Sequence, residues 1–272
     1  MRIRLFAVPL AALASPLVAN PYVEVGAGVV DARANDVDQL IDFSSSQAPA
    51  SPAAPAPADR FVDDVFGTRS KWGPEVSGAA GYDWGWLRLE AELAHRRVRT
   101  SRIAEDDFTG EFLGTLNAGL NRPSAAPDPG APGLSALSVT DFQRPGHIRS
   151  LSLMANAVAD WKVAERLTLF AGGGYGISQV RGFGDSDRAR SYQYMLGLRV
   201  PVGERLELGL KHRYFDSGMV TLEDAPRSFA GNADTVAVGG VPVTMQSNAS
   251  VVQRFEGHWR TRSVQLTLGW RF

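Results

Sequence analysis

The chain has 272 residues, of which 44% are hydrophobic and 21% are charged, a composition that is ordinary for a folded protein. Its 28 Lys and Arg residues nearly balance 29 Asp and Glu residues, so no basic excess favours nucleic acid as a partner. Because the sequence contains no Cys, thiol nucleophiles, Cys-ligated zinc sites and disulfide bonds are excluded.

The first nineteen residues predict a secretory signal peptide. Met1–Arg4 is a short cationic start, and Leu5–Leu17 is an apolar run that is too short to span a bilayer. Small residues follow, and we expect a signal over 1–19 that is cleaved after Ala19, although the small residues of Ala12–Ala14 leave the exact bond open. No second long apolar run exists, which excludes a bundle of membrane-spanning helices.

Period-two alternation of apolar and polar residues then predicts eight β-strands. They lie at about 21–31, 74–83, 86–99, 147–162, 166–181, 190–202, 205–220 and 258–272. Tight turns alternate with longer connections, and we expect outer loops at about 32–73, 100–146, 182–189 and 221–257. An up-and-down barrel explains why short turns gather at one end and long loops at the other.

The predicted fold over 20–272 is therefore all-β, an eight-stranded antiparallel up-and-down transmembrane β-barrel with short periplasmic turns and long extracellular loops. A two-domain chain with a linker at 33–73 is the alternative, but the eleven-residue strand before that segment could not fold alone. The Pro- and Ala-rich stretches Phe43–Ala58 and Pro123–Pro132 are predicted to be disordered or extended.

The two faces of the predicted strands differ in charge. In the middle of the strands, one parity carries apolar residues such as Val23, Leu89, Leu153 and Leu266 without a charged residue among them, as lipid-facing positions require. The opposite parity carries acids and bases that a small barrel would enclose as a paired polar interior, whereas a soluble sandwich would expose them. This predicted interior network comprises Glu24, Arg88, Glu90, Glu92, Arg96, Asp160, Arg199, Glu207, Lys211, Arg213 and Arg271.

Aromatic residues favour the membrane barrel over the sandwich, because they fall into two belts at opposite ends of the strands. The predicted membrane-interface aromatics are Trp84, Trp86, Trp161 and Trp270 at the end with the short turns, and Tyr175, Tyr192, Tyr194 and Tyr214 towards the other. Trp72 and Trp259 lie beyond the outer belt, and no membrane role is assigned to them.

The last ten residues, Ser263–Phe272, alternate strictly and end on Phe. Together with Pro21–Gly28 and Lys211–Asp216, they make the chain resemble the opacity-type and outer-membrane protein A-like eight-stranded barrels of Gram-negative bacteria. The resemblance implies an outer-membrane location among lipid and lipopolysaccharide, a surface ligand for the loops, and assembly by periplasmic chaperones and the barrel-assembly machinery. It also implies a C-terminal assembly signal formed by Leu266, Leu268, Trp270 and Phe272.

Three functions are compatible with this reading. The first is a non-enzymatic barrel scaffold that displays extracellular loops, and the second is a small-solute porin. The third, implied by lipid-modifying barrels of similar size, is a lipopolysaccharide-modifying enzyme with His212 as its base near Asp216 and Ser217. We expect no catalytic site and no cofactor. We also expect no metal site, because the remaining histidines, His95, His147 and His258, lack metal-ligand spacing.

Overall fold

The computed structural model describes residues 19–32, 36–46, 58–105, 107–123, 133–143 and 146–272. The predicted signal peptide lies outside the described residues except for Ala19, as do residues 47–57 and 124–132 of the two Pro-rich stretches. The strands are β1 Asn20–Ala32, β2 Asp36–Ser46, β3 Arg60–Lys71, β4 Gly73–Asp83, β5 Leu87–Glu105, β6 Gly146–Ala164, β7 Leu167–Gly182, β8 Asp185–Pro201, β9 Leu206–Glu223, β10 Arg227–Val238 and β11 Val241–Arg271. An α-helix, α1, covers Thr109–Gly119, and a short 3₁₀-helix covers Val139–Phe142.

Eight of these strands close into a barrel. Antiparallel pairing runs from β1 through β4, β5, β6, β7, β8, β9 and β11, and β11 pairs back with β1. Closure leaves no free sheet edge in the wall, which satisfies every backbone group that would otherwise face lipid. The predicted all-β, eight-stranded up-and-down fold is confirmed. Within the described residues, no helix is long and apolar enough to cross a bilayer.

The connection predicted as an outer loop at 182–189 is instead a tight hairpin turn. β7 ends at Gly182 and β8 begins at Asp185, so two residues make the turn. Phe183 and Gly184 both have positive φ, 56° and 92°, as a type I′ turn requires. The prediction was wrong here because Gly and Asp in 182–189 indicate a turn without fixing how many residues it needs.

The loops predicted at 32–73 and 221–257 contain regular strands. β5 and β11 extend far beyond the ends of β1 and β4, and their exposed edges need partners. β3 pairs with the upper part of β5, β2 pairs with β11, and β10 forms a hairpin with β11. The barrel wall therefore continues above the membrane, where β2 and β3 take the places of β1 and β4.

The region predicted as a loop at 100–146 contains α1, which helps to build an extracellular cap with an apolar core. The core residues are Ile41, Val62, Val65, Phe66, Phe112, Leu116, Leu120, Leu137, Phe142, Ala249 and Val251. Phe66, Phe112 and Phe142 contact one another with ring centroids 5.3–5.6 Å apart. The helix was not predicted because its eleven residues include three glycines, and burial of Phe112 and Leu116 outweighs that weak propensity.

Polar contacts fix the cap segments to one another. The Asn117 side chain accepts a hydrogen bond from the Leu137 N–H at 2.8 Å and donates one to the Leu137 carbonyl at 3.1 Å. Arg122 donates to the Ala230 carbonyl at 2.6 and 2.9 Å and to the Ser135 carbonyl at 3.0 Å. These bonds satisfy backbone groups that the surrounding strands do not reach, so the connections hold a defined shape.

Candidate functional site

The outer wall of the barrel presents an apolar band. Leu93, Leu153, Ile177 and Leu266 are 53–71% exposed, as expected for side chains that face lipid rather than a protein core. The band ends on the extracellular side near Tyr214 of β9. The charged parity of the same strands faces the lumen, where the side chains form one network of ion pairs.

The structure places nine of the eleven residues of the predicted network in the buried interior: Glu24, Arg88, Glu90, Glu92, Arg96, Asp160, Arg199, Lys211 and Arg213. The other two, Glu207 and Arg271, are partly exposed at the end of the barrel that carries the short turns.

The lower part of the network runs around the periplasmic end of the lumen. Arg271 lies 2.9 Å from Asp83 and 2.8 Å from Glu207. The guanidinium of Arg199 lies 3.0 Å from Glu207 and 2.6 Å from Asp160, so it bridges the two carboxylates. Each carboxylate therefore contacts at least one guanidinium group, which offsets the cost of removing it from water.

The middle of the lumen is held together by Arg88. Its guanidinium lies 2.8 Å from Asp160 and 3.5 Å from Glu90. Glu90 also accepts hydrogen bonds from the Tyr22 hydroxyl and, at 3.0 Å, from the Asn156 amide. The Asn156 amide thus satisfies the carboxylate oxygen that the arginine does not reach, and the Tyr22 hydroxyl shares the other oxygen with Arg88.

The upper part of the network centres on Arg213, which is completely buried. Its guanidinium lies 2.5 Å from Glu75 and 2.6 Å from Glu92. Lys211 lies 3.6 Å from Glu92 and also pairs with Glu24. The network therefore crosses the lumen, because strands β1, β4, β5 and β9 all contribute to it.

Two network residues, Glu75 and Asp83, were missing from the predicted set. Glu75 is buried and pairs with Arg96 at 2.8 Å as well as with Arg213. Asp83 had been assigned to a turn, yet its carboxylate accepts the Gly85 N–H at 2.6 Å and pairs with Arg271. Both residues lie on the parity of β4 that faces the lumen, so the same alternation could have identified them.

An apolar layer closes the lumen above the ionic network. Its buried residues include Val30, Val98, Ile148, Val180, Phe215, Val220, Leu222, Phe255 and Trp259. The guanidinium of Arg96 lies 4.0 Å from the centroid of the Phe215 ring, where the two layers meet. Trp259, which the sequence placed beyond the outer aromatic belt, is fully buried against Phe215.

The predicted interface aromatics lie on the outer surface. Trp86, Trp161, Trp270, Tyr175 and Tyr194 are 40–61% exposed. Trp84, Tyr192 and Tyr214 are half-buried. The ring centroid of Tyr194 lies 5.8 Å from that of Tyr192 and 6.5 Å from that of Tyr214. The three tyrosines therefore form a continuous patch across β8 and β9.

Glycines of β7 make room for the network on its β6 side. A Cβ added to Gly174 would lie 1.8 Å from Oδ1 of Asn156, whereas one added to the lipid-facing Gly173 meets no atom closer than 3.5 Å. We expect Gly174→Ala to displace Asn156 from Glu90 and to lower the free energy of unfolding by about 1–3 kcal/mol. Urea unfolding in detergent measures this, and Gly173→Ala is the neighbouring control; equal losses would contradict the packing argument.

A charged cluster that the sequence did not predict lies just beyond the extracellular end of the apolar band. Asp216 contacts Nδ1 of His258 at 2.7 Å, accepts from Tyr192 at 2.8 Å and pairs with Arg260 at 3.0 Å. Burial alone would raise the pKa of the Asp216 carboxyl, but hydrogen bonds from the Gly218 N–H and these three side chains hold its pKa below the ordinary value. The register of β9 and β11 shifts between His258 and Arg260, beside this contact, and local sequence does not reveal the shift.

The residues named for lipopolysaccharide-modifying chemistry are not brought together. His212 lies on the outward parity opposite Leu196, whereas Ser217 is buried and its hydroxyl donates to the Gly218 carbonyl at 2.8 Å and accepts the Trp259 N–H at 3.0 Å. In the part of the chain that the structure describes, no three His, Asp or Glu side chains form a group that could hold a metal ion.

Comparison with known proteins agrees with the closed barrel. The family model described as "Outer membrane protein beta-barrel domain" matches residues 4–272. The chain belongs to this outer-membrane β-barrel family. It is therefore an outer-membrane protein surrounded by lipid and lipopolysaccharide. No curated protein matches the sequence.

Several solved structures are similar to the chain at low identity. Neisserial surface protein A is 12% identical with a TM-score of 0.39, covering 87% of this chain and 97% of its own. Ail of Yersinia pestis, solved with the heparin analogue sucrose octasulfate, is 10% identical with a TM-score of 0.27, covering 89% and 99%. The outer membrane protease OmpT of Escherichia coli is 6% identical with a TM-score of 0.31, covering 93% and 97%.

Proposed function

We propose that the protein is a non-enzymatic surface protein in which the barrel anchors an extracellular cap that binds a ligand outside the cell. The observation that carries the proposal is that the cap has an apolar core of its own above a barrel whose lumen is filled. Ligand-binding sites are commonly built from loops that a rigid scaffold holds in place. The Phe66, Phe112 and Phe142 contacts and the Asn117 and Arg122 hydrogen bonds give these connections such support.

The filled lumen supports an anchoring role over a small-solute pore. An eight-stranded barrel is just wide enough for its interior side chains to fill. Here ion pairs occupy the lower and middle lumen, and the apolar layer around Phe215 and Trp259 lies above them. A solute would have to displace both layers, so this geometry does not favour the porin alternative.

The separation of His212 from Ser217 likewise gives no support to the lipopolysaccharide-modifying alternative. Catalysis by a serine requires a base within hydrogen-bond reach of its hydroxyl. The Ser217 hydroxyl is instead engaged by backbone groups inside the wall.

The C-terminal strand supports the proposed assembly partners. Leu266 is 71% exposed and Phe272 is 69% exposed, and Leu268 and Trp270 lie on the same outward row. We propose that this row is the signal that periplasmic chaperones and the barrel-assembly machinery recognise before lipid covers it.

An epitope tag placed in each of two tight turns tests whether the cap is displayed. A tag between Gly239 and Gly240, in the exposed turn that joins β10 to β11, is expected to bind antibody on intact cells. The same tag between Gly203 and Glu204, in the turn joining β8 to β9, is the matched control and should bind only after the outer membrane is opened. Labelling of the control on intact cells would overturn the assigned orientation.

Conductance recordings of the purified protein in planar bilayers distinguish the proposed function from a pore. We expect no steady single-channel conductance, because the buried ion pairs and the apolar layer of the described residues occupy the lumen. Steady channels at the level of one folded barrel would contradict the anchoring role and favour the porin.

A further inference from the structure

An unusual row of arginines crosses the outer wall at the extracellular limit of the apolar band. Arg97 of β5 pairs in register with Arg149 of β6, which pairs in turn with Arg181 of β7. One step further from the membrane, Arg99 lies opposite His147. Like charges directly opposite each other on neighbouring strands destabilise a sheet, so this arrangement carries a cost unless an anion neutralises it.

The described part of the chain supplies no such anion. None of Arg97, Arg149 and Arg181 forms an ion pair with a described residue, and Nε of Arg97 and Nδ1 of His147 are buried without a hydrogen-bond partner. Burial, followed by the charges of Arg97, Arg99 and Arg149, lowers the pKa of His147. The positive field is therefore not cancelled locally.

The nearest acids of the adjoining strand are used elsewhere. Asp185 and Asp187 of β8 lie on the other parity, where their carboxylates accept the backbone N–H groups of Glu223 at 3.1 Å and Thr221 at 2.9 Å. They therefore stabilise the pairing of the upper strands and leave the arginine row unneutralised.

Two concave surfaces adjoin the row. A cleft of 270 Å³ is lined by Trp72, Arg97, Arg99 and His147, and the indole of Trp72 is 63% exposed. On the membrane side of the row, a groove of 390 Å³ has an apolar floor, and cationic side chains lie along its edge. The floor and edge residues are Leu93, Leu151, Leu153, Ile177, Arg188 and Arg190.

We propose that this wall is a binding site for a phosphorylated, acylated lipid of the outer leaflet. The forked guanidinium groups of Arg97, Arg149 and Arg181 match phosphate oxygens geometrically and in charge. The groove beneath them accepts an acyl chain at the depth where the lipid tail begins, and Trp72 packs beside the headgroup. The order of apolar groove, arginine row and polar cleft repeats the order of tail, phosphate and headgroup in such a lipid.

The site is distinct from the cap, and it does not depend on the proposed surface-binding function. It faces the bilayer laterally, whereas the cap faces the medium. A failure of cap display therefore leaves this inference standing, and a failure of lipid binding leaves the cap function standing.

The test measures lipid binding to the full-length protein in a neutral detergent by native mass spectrometry. The probes are lipid A with its phosphates, the same lipid A after dephosphorylation, phosphatidylethanolamine and inorganic phosphate. We expect the wild type to bind phosphorylated lipid A at least about tenfold more tightly than the other three probes, since only this probe engages both the arginine row and the groove. The proposal would be overturned if dephosphorylated lipid A or inorganic phosphate bound as tightly as phosphorylated lipid A.

Matched variants locate the site. The triple variant Arg97→Gln, Arg149→Gln and Arg181→Gln should weaken binding of phosphorylated lipid A by about tenfold or more. The control removes the same charge from Arg166, Arg205 and Arg262, exposed arginines elsewhere on the barrel, and should change binding less than about twofold. Equal losses in the two triple variants would show non-specific attraction and overturn the site.

A variant that keeps every arginine tests the groove separately. Ile177→Trp fills the apolar floor, so it should weaken binding of lipid A severalfold without changing net charge. All variants alter outward side chains, and their folding is checked by the mobility of unheated samples on detergent gels. Unchanged lipid A binding by a folded Ile177→Trp protein would contradict the assigned position of the acyl chain.

Discussion

Replacing Arg213 with Met will lower the free energy of unfolding by about 3–5 kcal/mol. The substitution keeps much of the side-chain volume but leaves Glu75 and Glu92 without the guanidinium that lies 2.5 and 2.6 Å from them. Both carboxylates are buried, so water cannot replace the lost partner. The shift in the urea midpoint of detergent-solubilised protein, followed by gel mobility of unheated samples, measures the effect.

Arg254→Met is the matched control for this prediction. Arg254 pairs with Glu223 at 2.9 Å, but both side chains are 40–49% exposed in the extracellular region. Exposed pairs contribute little, so the control should change the free energy of unfolding by no more than about 1 kcal/mol. Similar losses in the two variants would show that enclosure in the lumen does not set the strength of the network.

Phe142→Ala is expected to unfold the cap while the barrel remains intact. The Phe142 ring is fully buried and lies 5.2–5.6 Å from the centroids of Phe66, Phe112 and Phe229. Removing a buried aromatic ring lowers the free energy of unfolding by about 3–5 kcal/mol, which is large for the small apolar core of the cap. Brief protease treatment of intact cells should then cleave within Thr109–Gly119 or Val139–Phe142, and a gel of the unheated barrel should still show its folded mobility.

Phe108→Ala provides the control, because Phe108 directly precedes α1 but is 45% exposed. It should leave Thr109–Gly119 and Val139–Phe142 resistant to protease. If Phe142→Ala is also resistant, the cap does not depend on its aromatic core. If the barrel loses its folded mobility as well, cap and barrel unfold as one unit, and the scaffold reading fails.

The faces of the barrel strands could be predicted because they depend on local periodicity. Leu153 and Ile177 alternate with interior residues at every second position, and a strand turns each successive side chain to the opposite face. The interior position of Arg88, Lys211 and Arg213 followed from the same alternation. Strand ends were less accurate, since β5 and β11 continue beyond the apolar band as long as other strands pair with their edges.

Alternation and turn length along the chain therefore suffice to predict a closed, lipid-facing barrel with a charged interior and the end at which its short turns lie. Which charges meet depends on the folded sheet: Arg213 and Glu75 are separated by 138 positions in the chain, and the curvature and register of the barrel bring them together. The cap and the arginine row also depend on pairing between distant segments. Alternation specifies which way a side chain points, whereas closure of the sheet specifies what it meets.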